Sequence, residues 1–233
     1  MNLKDCAPFA SMARPGLSPA DAQRWAELYR QGIAAESGNK FAEAVEAYNA
    51  AAAVDDTFAD LQFRLGRCME GLGRFEEAAR HYTYARDCDA LPFRADGRLI
   101  EILRNIAADR EAEGHYLADV GRAFEQDSPH CLPGDTLFYE HVHMNFHGNY
   151  VAARAVLTQV ERSLGDAPAG GELAEPECAE RLAFTGWDRR RTLRIILDRV
   201  KRLEKEIAGL AARTPSELSN SSSLPAALSP SII

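Results

Sequence analysis

The chain of 233 residues contains no run of the ~18 apolar residues that a membrane-spanning helix requires. Its opening, MNLKDCAPFASMARPG, lacks an apolar stretch of signal-peptide length. A cytoplasmic location is the expectation. The five cysteines, Cys6, Cys68, Cys88, Cys131 and Cys178, never fall at Cys-x-x-Cys spacing. That spacing argues against a structural zinc site and a disulfide framework, and it points to a reducing compartment. Basic charge is the minority sign: 27 Lys and Arg stand against 35 Asp and Glu, a net charge of -8. Phosphates repel such a surface, so a general role in coating nucleic acid is disfavoured.

Hydrophobic residues make up 46% of the chain, enough for a real core in one or two domains. The strongest pattern is a repeat. YRQGIAAESGNKFAEAVEAYNAAAAVD aligns with FRLGRCMEGLGRFEEAARHYTYARDCD, pairing Gly32 with Gly66, Phe41 with Phe75, Glu43 with Glu77, Ala44 with Ala78, Tyr48 with Tyr82 and Ala51 with Ala85. Every pair lies 34 positions apart. Small residues let two helices approach, and the aromatic fills the space beside them. Gly38-Asn39 and Gly73 fall where the helices must turn. These positions resemble the tetratricopeptide repeat, a helix-turn-helix unit, over residues 25 to 91. The chain departs from that pattern at Asp56 and Ala90, where the family often has proline, and at Ala35 and Met69, where it has an aromatic.

Ser18-Pro19-Ala20-Asp21 reads as an N-cap, a first-turn proline and a capping acid, opening a helix that runs to about Glu36. Leu99, Ile102, Leu103 and Ile106 have helical spacing and predict a further helix covering the end of the array. Tyr116 to Val120 reads as a buried strand. GRAFEQ is a short helix, DSPHCLPGD a loop, and Val151, Ala155, Val156 and Val160 mark one side of the next helix. Residues 165–176 read as a linker. A short helix near 177–184 and a longer one from about Asp188 follow. In the longer one Leu193, Ile196, Val200, Leu203, Ile207 and Leu210 form a seam. Its basic run, Arg189-Arg190-Arg191 with Arg194, Arg199, Lys201 and Arg202, fits either nucleic acid or a solvated face, and the acidic whole favours the second. From Thr214 the Ser- and Pro-rich tail reads as disordered.

FYEHVHMNFHGNY, residues 138–150, holds three of the six histidines. Three readings are open. His143 and His147 would share a helix face and could bind metal, but no glutamate lies between them as in His-Glu-x-x-His. The stretch could be an incidental polar loop. Or it could carry part of a hydrolase triad.

The third reading is the one a resemblance supports. Glu140-His141-Val142-His143, followed by Asn145 and Gly148, looks like the late Asp-x-x-His motif of SGNH or GDSL serine hydrolases. PGDTLFYEHVHMNFHGNY also resembles a segment of a bacterial group in which tetratricopeptide-type repeats interrupt such a hydrolase domain. NLKDCAPFAS is similar to the segment preceding the repeats there. The resemblance implies acyl transfer to water. His143 takes a proton from a serine hydroxyl, and Glu140 orients the imidazole and stabilises its cation. His141 is a structural neighbour, and Asn145 fixes the loop by backbone hydrogen bonds.

No Gly-Asp-Ser-like turn and no Gly-x-Ser-x-Gly is present. The oxyanion-hole blocks are likewise unrecognisable. The expectation is therefore a mostly α chain. Residues 1–17 form an N-terminal segment of the hydrolase-like domain, and 18–112 form repeats with flanking helices. Residues 113–164 form a small α/β remnant of the SGNH (flavodoxin-like) domain, 165–211 a helical extension, and 212–233 a disordered tail. No metal or cofactor is implied. The chain is expected to be inactive alone, as a truncated product, a fragment or a chain that works with a separate partner such as a missing N-terminal hydrolase half. The competing reading is an interaction module that holds a protein or peptide in a groove lined by Arg30, Arg64 and Arg67.

Overall fold

The computed structural model of the protein describes residues 1–165 and 172–211. Half of the linker residues 165–176 (166–171) and all of the tail 212–233 lie outside them, as do the side chains of the seam positions Ile207 and Leu210. The chain divides into two compact units, Met1–Cys178 and the residues from Ala179 on.

In the first unit, α1 (Pro19–Ser37) and α2 (Phe41–Ala52) form one antiparallel hairpin, and α3 (Ala59–Gly71) and α4 (Phe75–Asp87) form another. Ser18 caps α1, its Oγ accepting from the Asp21 amide at 3.1 Å. The turns use left-handed backbone, at Asn39 (φ 55°) in the first hairpin and Gly73 (φ 72°) in the second. Where the helices cross, the Tyr48 ring occupies the space a Cβ on Gly32 would need, and the Tyr82 ring does the same at Gly66. Each tyrosine hydroxyl then donates to a glutamate of the preceding helix, Tyr48 to Glu36 and Tyr82 to Glu70, both at 2.7 Å. The 34-residue repeat thus fixes a glycine, a ring and a carboxylate in the same arrangement twice. Leu61, Leu65, Cys68, Ala44, Ala51 and Ala78 complete the core and are fully buried. Each buried leucine contributes roughly 1.5–3 kcal/mol. Helix α2 packs on α3, so the hairpins stack.

Beyond the repeats, α5 (Gly97–Asp109) starts on Asp96, which accepts from the Leu99 amide at 2.7 Å. It does not close the array as expected. Leu99, Ile102, Leu103 and Ile106 remain 45–52% exposed.

The expected strand at Tyr116–Val120 is also corrected. Residues 115–119 have no regular structure, Leu117 is exposed, and Val120 already begins α6 (Val120–Asp127). Two physical reasons account for this. Asp119 is a helix cap, accepting from the Arg122 amide at 3.0 Å. And an apolar run becomes a strand only beside a partner strand, which is absent among the described residues. The expected α/β remnant is accordingly helical and loop structure, with one isolated antiparallel bridge between Phe138 and Met144. A second small core holds Phe124, Leu137, Phe138 and Val151, joining α6 to α7 (Phe146–Leu164).

Helix α8 (Glu175–Arg181) runs across the boundary between the units. In the second unit, α9 (Gly186–Ala211) opens on a capping box: the Asp188 amide donates to Thr185 Oγ1 at 3.3 Å and the Thr185 amide to Asp188 Oδ2 at 2.9 Å. Along its seam Ile196 is buried, whereas Leu193 and Leu203 are exposed.

Candidate functional site

The stretch 138–150 becomes a short loop closed at its base and opening directly into α7. The Tyr139 amide donates to the His143 carbonyl at 2.8 Å, and the Asn145 amide to the Leu137 carbonyl at 2.9 Å. Asn145 then caps α7. Its Oδ1 accepts from the Gly148 amide at 2.9 Å, and its Nδ2 donates to the Thr136 carbonyl at 2.9 Å. Gly148 lies so close to the Leu137 carbonyl that a Cβ would overlap it. Its lack of a side chain lets α7 begin there.

Glu140 sits inside this loop, its side chain 13% exposed. Its Oε1 accepts from the Val142 amide at 3.2 Å and the His143 amide at 2.7 Å. His143 Nδ1–H donates to the same oxygen. Burial opposes the carboxylate charge, but the nearby His141 ring and the hydrogen bonds from the His143 amide and ring and the Val142 amide outweigh it. The Glu140 carboxyl is therefore held well below the usual carboxylate range. With Nδ1 engaged, the imidazole of His143 presents its Nε2 outward on a side chain 54% exposed. A fixed carboxylate on Nδ1 and an exposed imidazole are the arrangement from which a histidine can act as a general base.

His141 turns the other way. Its Nε2–H donates to the Ala7 carbonyl at 2.9 Å, and its ring stacks on Phe9 with centroids 3.9 Å apart. Its Nδ1 lies 3.5 Å from Glu140 Oε2, buried and without a formed hydrogen bond.

His147 does not share a face with His143, because α7 begins after His143. Both of its ring nitrogens meet carboxylates, Nε2 at Asp127 Oδ2 (2.6 Å) and Nδ1 at Glu175 Oε2 (2.7 Å). Burial opposes its positive charge, but the hydrogen bonds to Glu175 and Asp127 prevail and raise its pKa. The carboxylates lie on opposite ring nitrogens and tie α6 and α8 to α7.

The three arginines proposed for the groove are all paired. Arg64 Nη1 meets Glu36 Oε2 at 2.9 Å and its Nε meets Asp60 at 2.7 Å. Arg67 lies 3.4 Å from the other Glu36 oxygen. Arg30 pairs with Glu27 on its own helix at 2.7 Å.

Two residues not read from the sequence shape the site. Asp55 and Asp89, again 34 positions apart, both end a repeat and both grip the N-terminal segment. Asp55 Oδ2 accepts from the Arg14 amide at 2.7 Å. Asp89 accepts from the Phe9 amide at 2.9 Å and the Ala10 amide at 3.1 Å. The aligned repeats both close on an aspartate, which was the available signal. The segment's first residues bind the loop: the Asn2 amide donates to the His141 carbonyl at 3.0 Å and Asn2 Nδ2 to Asp135 Oδ1 at 2.8 Å. Residues 1–14 therefore lace the repeats to the Glu140 loop. Comparison with family models, with curated proteins and with solved structures finds no match to this chain.

Proposed function

We propose that this chain is a tetratricopeptide-type, SGNH-hydrolase-like protein. In this reading it carries the acid–histidine loop of an ester hydrolase and depends on a nucleophile supplied elsewhere. The observation that carries the reading is the Glu140–His143 pair, with Nδ1 tied to a fixed carboxylate and Nε2 open. In the reaction, Nε2 takes the proton of a serine hydroxyl as that oxygen attacks an ester carbonyl, and returns it to the leaving alcohol. Glu140 stabilises the imidazolium between those steps.

The hydroxyl comes from a hydrolase half that is not recognisable in this sequence. Two further observations fit that idea. Helix α5 leaves four apolar side chains half exposed. Beside it lies a cavity of about 480 Å3 lined by Met1, Leu3, Ile100, Leu103, Leu117 and Phe124.

Turnover of a short-chain aryl ester by the purified chain tests the reading. The expected rate equals that of the His143→Ala variant. A rate that His143→Ala abolishes would show a nucleophile within this chain and overturn the requirement for a partner.

A second reading, an interaction module, is favoured by one observation. The repeats already hold an extended segment by its amides, at Asp55 and Asp89. It draws little support from Arg30, Arg64 and Arg67, whose charges are met by acids of the repeats themselves. Saturable binding of an acidic peptide that survives His143→Ala is its test.

A further inference from the structure

We propose that Phe9 is a positioning residue for the Glu140–His143 pair, acting through His141, and that the second repeat holds Phe9 in place. The role rests on reading that pair as a dyad. The path is continuous. Asp89 has a side chain only 2% exposed and stands just beyond α4. Its two oxygens accept from the Phe9 and Ala10 amides, one on either side of the Phe9 Cα, while the Ala90 amide donates back to the Ala10 carbonyl at 3.0 Å. The backbone carrying the Phe9 ring is thereby fastened to the repeat.

The ring lies flat on His141, tilted by only 24°, with Phe93 packed 5.0 Å away. His141 is held by its backbone carbonyl as well, through Asn2, and by its Nε2–H at Ala7. The carboxylate of Glu140 belongs to the residue immediately before it.

Such support is needed because the loop has little of its own. Beyond the Phe138–Met144 bridge, nothing regular constrains residues 139–143. A dyad works only when its geometry is held within about 0.5 Å, and an exposed imidazole otherwise samples several rotamers. Amides of the loop fix the carboxylate, and the clamp on His141 fixes the loop. Phe9 supplies the broad face of that clamp.

The test is proton NMR on the full chain. The His143 Nδ1 proton, bonded to a carboxylate, gives a downfield resonance, assigned by its loss in Glu140→Gln. In Phe9→Ala, with helical circular dichroism retained, this resonance is expected to vanish or to exchange with water about tenfold faster or more. Phe9→Tyr, which restores the flat ring, is expected to keep it. Phe9→Leu, which preserves bulk without the face, is read instead should Phe9→Ala lose its fold, and the same acceleration is expected. A resonance and exchange rate unchanged in Phe9→Ala or Phe9→Leu, or lost equally in Phe9→Tyr, overturns the positioning role. This signal reports geometry whether or not any ester turns over. Absence of the resonance from the wild-type chain would instead remove the dyad itself.

Discussion

The Tyr48 hydroxyl donates to Glu36 Oε2 across the first hairpin, and Arg64 of the second hairpin reaches the same oxygen at 2.9 Å. One buried carboxylate therefore joins two helices of one repeat to a helix of the next. The equivalent pair, Tyr82 and Glu70, has the same length, but the Glu70 side chain is 32% exposed against 7% for Glu36. Removing a hydroxyl costs more where water cannot replace it. Tyr48→Phe is expected to destabilise the chain by about 1–3 kcal/mol and Tyr82→Phe by roughly 0.5–1.5 kcal/mol. Urea unfolding of the two variants checks the order. Equal losses would mean that the carboxylate of Glu36 is not the shared anchor.

Gly148 is the tightest constraint on the candidate site. A Cβ there meets the Leu137 carbonyl, which already accepts from the Asn145 amide. Backbone cannot give way as a flexible side chain can. Gly148→Ala is expected to cost about 1–3 kcal/mol, a fall in Tm of roughly 2–4 °C per kcal/mol. It should also disturb the loop that carries His143. Thermal unfolding, with exchange of the Tyr139 and Asn145 amides, measures both effects.

His147 predicts a pH dependence. Its folded pKa is raised by Glu175 and Asp127 against the opposing effect of burial. A raised value means stability fully present below the unfolded value of about 6.5 and lost as pH rises through the folded one. The wild-type chain should exceed His147→Gln in stability at pH 6, and the margin should shrink by pH 9. Urea midpoints at the two pH values read it. A margin that grows with pH would contradict the assigned ion pairs.

Glu140 predicts the opposite trend. Its carboxyl is held low by the nearby His141 ring and by the His143 and Val142 hydrogen bonds, which overcome burial. Its contribution is fully present above the unfolded value of about 4.3, shrinks as pH falls below it, and is gone only once pH has passed the much lower folded value. Exchange of the His143 amide, which donates to Glu140 at 2.7 Å, should therefore gain protection relative to Glu140→Gln at pH 6 and give up only part of that advantage by pH 3.

The repeats were legible because periodicity is a local property written twice. Gly32 with Tyr48 and Gly66 with Tyr82 announce their helix crossings, and Ser18-Pro19 announces the start of α1. Asn145 as a loop anchor was also readable, since a cap needs only its own neighbours. The segment Tyr116–Val120 misled because apolar spacing cannot say whether a partner strand exists, and Asp119 proved to be a cap. Arg64 and Arg67 looked like a free cationic patch because Glu36, their partner, is 28 or more positions away in sequence. The N-terminal lacing was hidden for the same reason: Phe9 meets Asp89 across 80 positions and His141 across more than that.

The central claim is that Glu140 prepares the open Nε2 of His143 for proton transfer. His115 offers an internal reference, since its side chain is 57% exposed against 54% for His143, and its nearest acid oxygen, on Glu113, is 3.8 Å away. Carbethoxylation of the native chain at pH 7, resolved by peptide mass spectrometry, compares the two imidazoles directly. The account predicts that His143 reacts several-fold faster than His115, and that Glu140→Gln erases the difference. Equal rates in the wild-type chain, or a His143 advantage that survives Glu140→Gln, would contradict it.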